Sequence, residues 1–157
     1  MTAAETAFEK FQARLGETDG SGEWFEMTQE RINDFADVTI DHQFIHVDVE
    51  AAKAGPFGTT IAHGFLTLSM LTHLSASVPQ DPETFKGVIM GVNYGFEKVR
   101  FVSPVPSGSK IRATSVLKDV QLKGTDSIQV TRTYTIEVEG SERPAVVADW
   151  ITRLTYA

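Results

Sequence analysis

The stretch Gly64 to Val78, GFLTLSMLTHLSASV, decides the fold. Its apolar residues Phe65, Leu66, Leu68, Met70, Leu71 and Leu74 fall on several faces of a helix, and the residues between them are mostly small hydroxyls. A helix that is apolar nearly all round has no side to give to water, so it must be surrounded by protein. The run is interrupted by Thr67, Ser69, Thr72 and His73 and is shorter than the ~20 residues that cross a bilayer. The expectation is therefore one buried helix over 64–78.

The residues that follow change period from helix to strand. Val88, Met90, Val92, Tyr94 and Phe96 alternate with Ile89, Gly91, Asn93, Gly95 and Glu97, as a pleated strand requires. Gly91 and Gly95 leave room there for a helix, ligand or second chain to come close. Pro104, Pro106 and Gly108 mark a turn, and Lys110 to Lys123 reads as a long strand ending at Gly124. Ile128, Val130, Tyr134, Ile136 and Val138 form one face of a third strand, closed by Gly140, and Ala145 to Tyr156 supply a fourth. Four strands in succession after helices predict an α+β architecture: a single hot-dog fold over residues 1–157, its curved antiparallel sheet wrapped around a long central helix.

Upstream, Ala4, Ala7, Phe8, Phe11 and Leu15 recur at helical spacing and predict an amphipathic helix ending at Gly16, followed by a polar loop through Ser21 and Gly22. Thr28 is placed to cap a helix that buries Ile32, Phe35 and Ala36, with Met27 and Ile32 at staple positions. That helix should fray by Thr39, because Val38, Thr39 and Ile40 form a β-branched run that favours extended backbone. Asp48 begins a short helix over Val49 to Ala54, which Gly55-Pro56 stops.

Composition narrows the function classes. The chain has 157 residues and no cysteine, which excludes disulfides, thiolate metal sites and cysteine nucleophiles and agrees with a reducing, cytoplasmic setting. Glu5, Glu9, Lys10, Arg14, Glu17 and Asp19 break any apolar leader near the start, so none is expected. A formal charge of −7 opposes broad nucleic-acid binding, which needs a basic surface. An anionic ligand would have to meet local cations, and Lys98, Arg100, Lys110 and Arg112 bracket one turn.

The chemically informative residues lie in Asp41-His42-Gln43-Phe44-Ile45-His46-Val47-Asp48 and in Pro56-Phe57-Gly58-Thr59-Thr60-Ile61-Ala62-His63-Gly64-Phe65, which hold three of the four histidines. An imidazole titrates near neutral pH, and a carboxylate in a dry pocket can be raised towards it, so Asp41 with His46 forms a candidate acid–base pair. Gly64 opens the central helix, where an unpaired amide and the helix dipole favour developing negative charge. A chance Asp–His spacing in a solvated loop is the bland alternative. A metal held by His42 and His46 with Asp41 or His63 is another, although no metal is expected. His63 is as easily a hydrogen-bonded structural histidine, and His73 is read as structural.

These segments resemble the MaoC-like, (R)-specific enoyl-CoA hydratases, including short single-hot-dog mycobacterial members and nodulation protein N. The resemblance covers nearly the whole chain. The family's Asp-x-Asn-Pro-x-His pattern falls on Asp41 and His46, and its later His-Gly on His63 and Gly64. Gln43-Phe44 replaces Asn-Pro, and Thr72 stands for the small hydroxyl on the central helix. The resemblance implies reversible hydration of trans-2-enoyl-CoA to (R)-3-hydroxyacyl-CoA without a cofactor, by a homodimer. In that reading Asp41 and His46 activate water, Gly64 N–H polarises the thioester, and Gln43, His63 and Thr72 face substrate. A dehydratase of acyl-carrier-protein thioesters, a hot-dog thioesterase, and a non-catalytic acyl-thioester binding module are the alternatives.

Overall fold

A computed structural model describes all residues from Met1 to Ala157. Four long strands, β3 (Val88–Phe101), β4 (Lys110–Lys123), β5 (Ser127–Val138) and β6 (Val146–Tyr156), lie in the order β4-β5-β6-β3, all antiparallel. The alternation read from sequence holds. Ile128, Val130, Tyr134, Ile136 and Val138 of β5 are all buried on one face.

The segment expected to be a polar loop adds two short strands. β1 (Thr18–Ser21) and β2 (Phe25–Glu26) both pair with β4 and complete a six-stranded sheet. Pairing along β4 satisfies backbone groups that the glycines and serine of this stretch gave no periodic reason to place in a strand.

The first helix, α1 (Ala3–Gln12), begins with a capping box of Thr2 and Glu5 and buries Ala4, Ala7 and Phe11. It stops short of Gly16, which turns the chain at φ 83° and donates its amide to Leu117. Thr28 caps α2 (Gln29–Thr39) by accepting from the Arg31 amide, and Met27 and Ile32 are fully buried together. The β-branched run does not extend here: Val38 and Thr39 stay helical, and Ile40 takes the left-handed conformation, φ 61°. Two short helices follow, α3 (Phe44–Val47) and α4 (Val49–Lys53), the latter capped by Asp48.

The central helix is not one rod. It runs as α5 (Gly64–Ser69) and α6 (Leu71–Leu74) with a break at Met70, then a 3₁₀ turn over Ser75–Ser77. Nor is it enclosed on every side: Leu66, Thr67, Leu71 and Leu74 are buried against the sheet, whereas Phe65, Ser69, Thr72 and His73 are exposed. A sheet that curves around a helix covers only part of its circumference. The concave face carries two apolar clusters. One joins the central helix to Ile111, Ile136, Val146 and Trp150; the other joins α1 to Leu117, Ile128, Val130 and Leu154. No helix is long and apolar enough to cross a membrane.

Candidate active site

The loop between α2 and the central helix brings together the residues that the sequence singled out. Ile40 ends α2 in a conformation that a β-branched side chain adopts only at a cost of about 1–3 kcal/mol, and the turn it makes sends Asp41 away from the helix axis. The Asp41 amide donates to Ala36 O at 3.1 Å, and its carboxylate accepts from the Gln43 amide at 3.4 Å. Gln43 thus acts through its main chain. Its side chain makes none of the hydrogen bonds expected near the site, because Gln43 sits exposed at the start of α3.

His46 is buried on α3, and its Nδ1–H donates to Ile61 O at 2.8 Å, which fixes the tautomer and leaves Nε2 as an acceptor. Burial is the largest influence on its basicity and lowers its pKa below 6.5. The Ile61 carbonyl opposes that shift, His63 adds to it, and Asp41 opposes it. The imidazole is therefore neutral at physiological pH and able to accept a proton.

His63 stacks on His46 with ring centres 3.9 Å apart and donates from Nε2 to the main-chain oxygen of Asp41 at 3.0 Å. It ties Asp41 and His46 to one support. Its Nδ1 is buried without a partner. Ligand atoms of Asp41, His46 and His63 lie within 4.8 Å of one another, close enough for all three to face one small polar molecule. His42 lies outside this group and contacts Asp37 at 2.7 Å on the surface.

Next to this cluster is a cavity of about 240 Å³, lined among others by His46, Gly64, Thr67, Phe101 and Val146. The Gly64 amide has no backbone acceptor, as expected for the first residue of a helix. A Cβ at this position would lie 2.9 Å from the Phe101 ring, so glycine is what lets the helix start close to β3.

Several expectations are corrected here. Thr72 does not reach the cavity: it is exposed and bonds back to Ser69 O, while Thr67, one turn nearer the helix start, is buried in the cavity wall. Asp41 is exposed, so the chain alone does not give it the dry surroundings anticipated. The four cations around the turn do not form one patch, because β3 and β4 are three strand spacings apart, roughly 14 Å. Arg112 is instead committed to Glu137 and to the face of Trp24. Sequence reading missed Gln29, whose amide holds the His46 carbonyl at 2.7 Å, and it missed Phe101 as a cavity wall. The position of Gln29 just after a strong cap was the only available signal for it.

Residues 10–140 match the family described as the MaoC like domain. The chain is 53% identical over 141 residues to 3-hydroxyacyl-thioester dehydratase Z of Mycobacterium tuberculosis, covering 90% of this chain and 91% of that protein. It is 46% identical over 146 residues to nodulation protein N of Rhizobium leguminosarum, covering 92% and 88%. Among solved structures, a monoamine oxidase regulatory protein from Archaeoglobus superposes with a TM-score of 0.72 at 27% identity, covering 94% of each chain.

Proposed function

The chain belongs to the MaoC-like dehydratase family, and from that premise we propose that it catalyses the reversible hydration of trans-2-enoyl-CoA to (R)-3-hydroxyacyl-CoA. The observation that carries this reading is the position of His46, which lies in one cluster with the Asp41 carboxylate and also lines, with Gly64 at the start of the central helix, a largely apolar cavity.

Water held between Asp41 and His46 loses a proton to this pair as its oxygen bonds to C3 of the enoyl group. The C2=C3 electron pair moves towards the thioester, whose oxygen gains negative charge beside Gly64 N–H. Return of the proton to C2 completes the addition of one water. The reverse sequence is the dehydration named for the mycobacterial relative. No cofactor is required. Thr67 and Phe101 border the acyl group in this reading, and His63 positions both Asp41 and His46.

A second copy of the chain is part of the proposal. β3 lies at the sheet edge, with Ile89, Met90, Val92, Tyr94 and Phe96 exposed, and a partner seated there would cover both the apolar surface and the unpaired edge. Because Phe101 at the end of β3 walls the cavity, that partner would also lie near the reaction site.

The direct test is hydration of crotonyl-CoA, followed by loss of the enoyl thioester and by chiral analysis of the product. Asp41→Asn and His46→Gln should each lower turnover by roughly 10²–10⁴-fold with the fold intact. Near-normal turnover in either folded variant removes that residue from the mechanism. Release of free CoA without loss of the double bond identifies a thioesterase instead, and an (S) product overturns the stereochemical assignment.

A further inference from the structure

A buried arginine lies at the other end of the concave groove, away from the catalytic cluster. Arg132 on β5 points inward where the two apolar clusters meet, and its side chain is 7% exposed. Its Nε donates to Asp19 Oδ2 at 3.0 Å, and the same oxygen accepts from Ser115 Oγ at 2.7 Å. Arg14 approaches the other Asp19 oxygen at 3.8 Å, so two guanidinium groups share a single carboxylate. Nε is the one nitrogen of Arg132 that donates within the chain.

Arg132, whose guanidinium carbon also lies 5.4 Å from the centre of the Phe11 ring, is one of the residues lining a cavity of about 230 Å³ between the end of the central helix, β3 and β6. Gln80, Asn93, Thr152 and Tyr134 add neutral polar groups, while Trp150 and Leu154 contribute apolar wall. Burial pushes the Tyr134 hydroxyl above the usual phenol range, so it stays protonated. None of the 11 lining residues is acidic, in a chain whose net charge is −7. A guanidinium that keeps two donor groups unused beside its Asp19 partner, with no further carboxylate in the lining and hydrocarbon beside it, selects an anion that is itself attached to hydrocarbon. The volume is below the roughly 300 Å³ at which sites for drug-sized ligands begin, so the ligand is small.

This cavity is separate from the reaction site. Val146 lines one and Trp150 the other, on the same face of β6 and about 13 Å apart, and the two share no lining residue. We infer that the Arg132 cavity is a second ligand site, specific for a carboxylate carried on a short hydrocarbon chain. The carboxylate belongs either to a free acid or to the far end of an acyl chain whose thioester occupies the first cavity. The second source alone rests on the hydratase reading.

Calorimetric titration of the full chain with hexanoate and with hexanamide separates charge recognition from simple filling of the cavity. Hexanoate should bind at least tenfold more tightly. Gln80→Glu places a carboxylate in the wall of the cavity, beside Tyr134, while keeping both Arg132 and Asp19, and should abolish the preference. The double variant Arg132→Met with Asp19→Asn should do the same, and it leaves no buried charge without its partner. Equal binding of the two probes, no binding of either at millimolar concentration, or a preference that survives in both variants overturns the proposal. The source is read from hydration of matched ten-carbon enoyl-CoA substrates with and without a terminal carboxylate. A tenfold loss of kcat/KM confined to the carboxylated substrate in Gln80→Glu identifies the acyl terminus. Unchanged rates on both, with hexanoate binding lost, identify the free acid. Complete absence of hydration in the wild-type chain refutes the reaction proposed above and leaves the calorimetric result standing.

Discussion

At the scale of the residue, His46 shows how the surroundings choose a role for a common side chain. Its Nδ1–H is fixed by Ile61 O, and burial, reinforced by His63, outweighs the carbonyl and Asp41 to keep the ring neutral. A histidine with a lowered pKa loses function on the acid side. The rate profile should therefore be flat through neutral pH and fall at an apparent pKa below 6.5, measured as kcat/KM for crotonyl-CoA. The same shift acts on stability: the contribution of neutral His46 is complete above pH 6.5 and is lost as pH falls towards the folded-state value. An acid limb at or above 6.5 would mean that another group controls the rate. The identities of Asp41, His46 and His63 as candidates could be read from sequence, because the residue types and spacing are local. The stack of His63 on His46 could not, since it depends on two loops meeting.

At the scale of the element, caps and turns were the most legible features. Thr28 and Asp48 cap their helices as read, because a side chain bonding an amide two or three residues away is a local event. β1 and β2 were hidden because Asp19, Gly20, Ser21 and Gly22 carry no alternation, and only the waiting edge of β4 makes strands of their neighbourhood. The central helix gave the reverse problem: its apolar residues were plain, but the break at Met70 and the open side were not. The start of that helix makes a sharp prediction. Gly64→Ala places a methyl 2.9 Å from the Phe101 ring, which is 51% exposed and packed edge-on against only one other ring, that of Phe65. Stability should fall by only about 1 kcal/mol, at the low end for an overpacked contact. Turnover should fall markedly, because the displaced ring is a wall of the cavity. Denaturant melts and crotonyl-CoA rates on the same preparation separate the two effects, and unchanged turnover would detach Phe101 from the reaction.

At the scale of the whole molecule, the sheet has one well-finished edge and one raw one. β1 and β2 cover β4, whereas β3 has pairing on a single side and exposes Ile89 at 68% and Tyr94 at 57%. The particle in solution should have twice the 17.3 kDa mass of the chain. The double substitution Val92→Glu with Phe96→Glu should yield monomers and depress hydration, because like charges on a shared edge repel and Asp41 stays open to water. Light scattering that shows a monomeric wild-type chain would remove the second copy from the proposal.

The sequence by itself determined the layers: periods of two and 3.6, the caps, the turn glycines and the pair of loops holding three histidines are all encoded by neighbours in the chain. Only the tertiary structure decided which of those side chains share a cavity, that Thr67 rather than Thr72 lines it, and that Arg132 stands unsaturated at the far end of the groove. The physical reason is range. Backbone geometry and capping act over a few residues and leave a trace in local order, whereas burial, electrostatic neighbours and cavities arise from residues far apart in the chain that packing brings into contact.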